Sequence, residues 1–192
     1  MITTWHMPHE LEELKMKNSK KALIALLAVL ATGAVSAQSM SNQGYYGEVG
    51  YTALNIKNDS NGFDITPQLA RLIVGKELNK GLAVEGTYAF TASKDSAVVS
   101  GTKYTGKASL FGAYLKPKFE ITQDVEVFAR VGALHTKYED EATNLSKTKL
   151  SYGIGVQTQL TKDVYGQVDY MNYYKQDSMA GKGFTVSVGT RF

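Results

Sequence analysis

From Tyr45 onward the chain alternates apolar and polar residues with period two in eight separate runs. Successive side chains of an extended strand point to opposite faces, so each run predicts a strand with one apolar and one polar face. The last run is the most regular. Phe184, Val186, Val188, Thr190 and Phe192 share one face, and Thr185, Ser187, Gly189 and Arg191 share the other. The earlier runs are Tyr45–Leu54, Gln68–Leu78, Leu82–Phe90, Lys107–Phe119, Val125–Tyr138, Lys149–Leu160 and Val164–Tyr174. Asn79-Lys80-Gly81, Thr122-Gln123-Asp124 and Thr161-Lys162-Asp163 read as tight turns. Asn55–Pro67, Thr91–Gly106, Tyr138–Thr148 and Lys175–Lys182 read as polar loops.

The connections therefore alternate long and short, and the strands run nine to fourteen residues. A strand needs about 9–11 residues to cross a bilayer, and outer-membrane barrels carry short turns on the periplasmic side and longer loops outside. The predicted fold is all-β, an eight-stranded antiparallel up-and-down transmembrane β-barrel over residues 38–192.

The two faces differ in charge. One parity collects Glu48, Arg71, Glu77, Glu85, Lys116, Lys118, Glu126, Arg130, Asp169 and Arg191, with Gln157, Gln159 and Gln167. The other has almost no charge in mid-strand. Lys76 is the exception, near a predicted periplasmic turn where a long side chain can snorkel to water. If the charged parity lines the lumen, the charges must pair, because a lone buried charge costs several kcal/mol. The expected lumen network joins Glu48, Arg71, Glu85, Arg130 and Asp169, with Lys116 and Arg191 on the same parity. It reads first as a self-satisfying plug and second as a gated ion path or a proton-sensitive switch. Parity alone does not say which face is inside. A soluble ligand-binding barrel would turn the apolar face inward. Aromatic residues near the strand ends, among them Tyr45, Tyr88, Phe119, Tyr152 and Phe192, favour the membrane orientation.

Composition adds limits. The 192 residues suffice for one domain, and there is no cysteine, which removes disulfides and thiolate metal sites. The net charge of +3 is spread along the chain, so no nucleic-acid partner is indicated. Mean hydropathy is −0.21, as expected when only every second residue meets lipid. No metal site and no cofactor are predicted.

The front end reads as a targeting segment. Residues 16–37 form a signal peptide: a basic start at Met16-Lys17, an apolar run from Ala22 to Ala34, and small residues Val35-Ser36-Ala37 with cleavage between Ala37 and Gln38. Residues 1–15 read as an upstream extension of uncertain origin, from an upstream start choice with Met16 as the true start or, alternatively, a short amphipathic helix.

These features together resemble the small eight-stranded outer-membrane β-barrels of Gram-negative bacteria, of the opacity-protein and outer-membrane protein A transmembrane type. The residues carrying the resemblance are the signal end Val35-Ser36-Ala37, the hairpin from Gly75 to Gly86, the segment Val127–Gly132, and terminal Phe192. The resemblance implies residence in the outer membrane among lipid and lipopolysaccharide. It also implies assembly by the barrel-assembly machinery, which would read Phe184, Val186, Val188 and Phe192 as a signal. Family members range from adhesins to narrow pores, so the fold does not decide the function.

The expected role is structural or surface-interacting, adhesin-like or supporting envelope integrity, as a monomer that meets a surface ligand through its external loops. A small porin-like channel is the alternative. A lipid A-modifying enzyme would need a His with a Ser and a carboxylate. His135 is available, with Ser151 and Glu139 as conceivable partners, but the simple reading is a polar interface residue. The expectation is no enzyme.

Expression of the full chain, isolation of the outer membrane, and electrophoresis with and without boiling test this reading. A band in that fraction whose mobility shifts on boiling is expected. A soluble periplasmic band with no shift would invert the two faces and indicate a lipocalin-like carrier.

Overall fold

A computed structural model describes residues 44–192, apart from 59, 61–62, 94–95, 100–101, 106, 141–142 and 177–178. The expected upstream extension, the signal peptide and its cleavage pair Ala37 and Gln38 lie outside the described residues. The strands are β1 (Tyr45–Asn58), β2 (Phe63–Ile65), β3 (Gln68–Asn79), β4 (Leu82–Ser93), β5 (Ser96–Val99), β6 (Thr102–Thr105), β7 (Lys107–Glu120), β8 (Val125–Asp140), β9 (Thr143–Gln159), β10 (Val164–Gln176) and β11 (Met179–Arg191). Eight of them, β1, β3, β4, β7, β8, β9, β10 and β11, pair antiparallel with their chain neighbours, and β11 returns to β1. The closing ladder runs from Tyr46↔Arg191 to Asn58↔Met179. Closure leaves no sheet edge along the wall, which is what a lipid-facing backbone requires. Short β2 extends the ladder beside β1, and β5 pairs with β6 in a separate hairpin.

The register fixes the tilt. Following paired residues around the barrel gives Tyr45↔Lys76, Lys76↔Val84, Val84↔Leu115, Leu115↔Val131, Val131↔Tyr152, Tyr152↔Asn172, Asn172↔Lys182 and Lys182↔Asn55. One circuit begins at Tyr45 and returns to β1 ten residues later, at Asn55. Strands staggered this way must tilt, by roughly 35–45° in closed barrels.

The charged parity faces inward. Glu48, Arg71, Glu85, Lys116, Arg130 and Asp169 are buried, while Val74, Phe119, Leu150, Ile154, Phe184 and Val186 of the other parity are exposed. A soluble carrier would show the reverse.

Two expectations need correction. The regions read as loops contain strand: β1 continues to Asn58, β4 to Ser93, β8 to Asp140, and β9 starts at Thr143 rather than Lys149. Above the apolar belt both faces of the sheet are wet, so the period-two signal vanishes although backbone pairing continues. The second concerns Tyr174, which strict alternation in the Val164–Tyr174 run would put on the lipid face with Val168 and Tyr170. A bulge between Asn172 and Tyr174 shifts the register, so Tyr174 opposes Gly181, a buried position. A bulge inserts one residue and breaks the alternation.

The lumen is layered. Tyr46, Ile73, Ala83 and Tyr165 form a packed floor toward the short turns. Leu54, Leu69, Ala89, Leu110, Tyr114, Leu134, Met171 and Tyr173 form a larger apolar layer toward the long connections. The floor depends on two glycines. Tyr46 lies across Gly75 and Tyr165 across Gly189, their cross-strand partners. A Cβ on Gly75 would sit 2.1 Å from the Tyr46 ring, and one on Gly189 would sit 2.3 Å from the Tyr165 ring.

Gly75→Val and Gly189→Val should therefore displace these rings and destabilise the refolded barrel by about 1–3 kcal/mol each. Urea titration followed by the mobility shift measures this.

Candidate functional site

Between the two apolar layers lies a polar layer to which every stave contributes: Glu48 from β1, Arg71 from β3, Glu85 from β4, Lys116 from β7, Arg130 from β8, Gln157 from β9, Gln167 and Asp169 from β10, and Ser187 from β11. The period-two pattern aims each side chain inward, and the stagger of the staves brings them to one level. The side chains of the six ionised members are at most 4% exposed.

Arg130 is the hub. Its Nε donates to Glu85 Oε2 at 2.5 Å and its Nη2 to Glu85 Oε1 at 3.0 Å. Nη2 also donates to Glu48 at 3.2 Å, and Nη1 donates to Asp169 Oδ2 at 2.9 Å. Arg71 grips both oxygens of Asp169, with Nη1 at 2.9 Å from Oδ1 and Nη2 on Oδ2. Lys116 Nζ stands 3.3 Å from both Glu48 and Glu85 and donates to Gln157 at 3.2 Å and Gln167 at 3.1 Å. The Phe128 ring lies beneath Lys116 and Arg130, at 4.5 and 4.7 Å. Three cations thus face three carboxylates, and the layer is neutral as a unit. At an interior dielectric well below that of water, such a set is held only because each charge has close partners.

The tyrosines of the floor belong to the same network. Tyr46 donates to Glu85 at 2.8 Å and Tyr165 to Glu48 at 2.9 Å, while Arg71 donates to the Tyr173 hydroxyl at 3.2 Å. Tyr46 shares the inward parity of Glu48, and Tyr165 and Tyr173 share that of Asp169. Parity was the available signal; nothing in the sequence alone states which hydroxyl reaches which carboxylate.

Arg191 stands apart from the hub. It bonds Gln159 and lies 3.6 Å from Glu126, at the rim near the short turns. There Lys118 bridges Glu77 at 2.7 Å and Glu126 at 3.5 Å, a second, wetter tier. The terminal residues face mostly outward: Phe184 and Val186 are half exposed, Val188 opposes Val49, and the Phe192 N–H donates to the Tyr45 carbonyl at 2.9 Å.

His135 and Ser151 are not placed together as a hydrolase site would need, and the Glu139 side chain lies outside the described residues. The His135 ring bonds the Thr148 hydroxyl through Nδ1 at 2.8 Å and the Ser146 hydroxyl through Nε2 at 2.7 Å, and it packs on Phe111. Ser151 instead turns inward and donates to the Asn172 carbonyl at 2.9 Å. The two residues have opposite parity, so one strand pair cannot bring both to one face. Among the described residues no group of three His, Cys, Asp or Glu side chains is arranged to hold a metal ion.

Comparison with known proteins agrees with this geometry. Residues 25–192 match the family described as outer membrane protein beta-barrel domain. The attachment invasion locus protein of Yersinia enterocolitica is 27% identical over 149 residues, covering 75% of this chain and 83% of that protein. The fold is similar to the crystal structure of the attachment invasion locus protein of Yersinia pestis, solved with the heparin analogue sucrose octasulfate. That comparison gives a TM-score of 0.58 at 24% identity, covering 77% of this chain and 97% of that one. Neisserial surface protein A gives a TM-score of 0.59 at 17% identity, covering 78% and 97%. These relatives are outer-membrane barrels, and the outer membrane is where this chain resides.

Replacing the hub tests the layer. Arg130→Met should destabilise the barrel by about 3–5 kcal/mol, because three carboxylates lose a shared partner. Arg130→Met with Glu85→Gln should recover part of that loss. Urea titration in lipid vesicles measures both.

Proposed function

The chain belongs to the outer membrane protein β-barrel domain family, and we propose that within it the protein is an attachment barrel that presents its external sheet to a polyanionic surface ligand. The observation that carries this is the neutral polar layer. With Arg130, Tyr46, Tyr165 and Asp169 each under 2% exposed, the lumen at that level is filled by side chains and not by solvent. A filled lumen disfavours the small-channel reading and leaves the outer surface as the working part.

That surface carries cations in register. On β11, Lys182 lies between Asn55 of β1 and Asn172 of β10, and the next outward position, Ala180, lies between Lys57 and Lys175. Neighbouring strands are about 4.8 Å apart, so three lysines occupy a small area above the apolar belt. Lys57 also pairs with Asp64 at 3.1 Å. A sulfated or phosphorylated chain, such as a host glycosaminoglycan or the sugar of a neighbouring lipopolysaccharide, has the complementary charge. The Yersinia pestis protein, crystallised with a heparin analogue, supports the same ligand class. Delivery to the membrane is assigned to the barrel-assembly machinery reading Phe184, Val186, Val188 and Phe192, and the barrel acts as a monomer.

Refolded barrel should bind immobilised heparin in a salt-dependent way. The triple variant Lys57→Gln, Lys175→Gln, Lys182→Gln should weaken binding at least tenfold while keeping the boiling shift. In planar bilayers the wild type should show no steady conductance. Steady channels with heparin binding unchanged in the triple variant would favour the pore.

A further inference from the structure

Outward positions within the apolar belt carry no charge at any described residue except Lys76. No intramolecular ion pair accounts for this lysine. Its ammonium has no carboxylate partner among the described residues; it sits 4.9 Å over the Tyr45 ring, at the end of the barrel that carries the short turns. From there its ammonium reaches the headgroup region, where an anionic headgroup attracts a cation by about 1 kcal/mol beyond what water offers.

A groove begins at the same place. It occupies about 560 Å³ of the outer wall and is lined by Val74, Val84, Gly86, Ala113, Leu115 and Val131, with Lys76 and Tyr45 at its lower end. Its floor is low because Gly86 opposes Ala113 across β4 and β7, and Ala113 opposes Ala133 across β7 and β8. Tyr88 and Phe111, one outward row higher, stand exposed along the upper side. Because the hydrogen-bonded rows climb around the barrel, the groove rises from the lysine toward the middle of the membrane. It is an apolar trough with one cationic, phenol-flanked end.

We propose that this groove is a binding site for an anionic glycerophospholipid of the periplasmic leaflet. The headgroup phosphate meets Lys76 beside the Tyr45 hydroxyl, and one acyl chain lies over Gly86 and Ala113. An acyl chain fits the lining, since the other polar residues along it, Glu85 and Tyr114, are buried with their side chains in the lumen. A single phosphate fits the single cation. The site is independent of the external lysines and of the attachment role proposed for them.

The test is native mass spectrometry of refolded barrel in detergent, with phosphatidylglycerol or phosphatidylcholine of identical acyl chains. Wild type should retain phosphatidylglycerol about fivefold over phosphatidylcholine, the factor one lysine near anionic headgroups supplies. Lys76→Gln should abolish that preference and Lys76→Arg should keep it. Gly86→Leu, which fills the trough, should lower retention of both lipids. Lys76 and Gly86 both face outward, and the boiling shift verifies that each variant is folded. Equal retention of the two lipids by wild type, or an unchanged preference in Lys76→Gln, would mean annular lipid only and overturn the site.

Discussion

The structure depends on keeping ions in a place that water hardly reaches. Arg130 contacts Glu85, Glu48 and Asp169 within one layer, and Arg71 and Lys116 supply the remaining positive charge. Each ion alone would cost several kcal/mol to bury. Together they are tolerable only if the six staves that carry them are in register, since each comes from a different strand. The network therefore works as a constraint on assembly: a slipped stave would strand a charge in the lumen or turn one toward lipid. The apolar layers on either side keep solvent away and strengthen every contact within.

The same alternation that builds the lumen made most of the fold legible beforehand. Inside the membrane each residue meets either lipid or lumen, so chemistry is sorted by parity, and Glu48, Arg71, Glu85, Lys116, Arg130 and Asp169 could be grouped without coordinates. Arg191 followed the parity but fell outside the hub, because parity gives direction and not height. Height is set by the stagger, which accumulates through eight ladders and is written in no single segment. The external strand was hidden for the opposite reason. Ser146, Lys147 and Thr148 pair through their backbones while all three are exposed, and no side-chain pattern records it. His135 with Ser151 failed on direction: the pairing required two parities on one face.

The filled interior and the polar exterior divide the work of the molecule. The interior holds the shape and keeps its charges to itself; the outer surface presents cations at two heights. Lys57, Lys175 and Lys182 stand above the belt, and Lys76 stands at its lower margin. A barrel of this kind can change what it contacts by changing outward residues without disturbing the layer that keeps it closed.

The bulge between Asn172 and Tyr174 bears on how such a chain can change length over generations. Below it, one extra residue in a stave would exchange every following lumen side chain for a lipid-facing one, so lengths within the belt can drift only in steps of two. The bulge sits at the upper end of the β9–β10 ladder, whose last pair is Tyr152↔Asn172. There an odd residue is harmless, because water lies on the outer face and few partners remain to be mismatched. Descendants of this barrel are free to lengthen, shorten or exchange the segments above that line one residue at a time, while the wall beneath is copied almost by arithmetic.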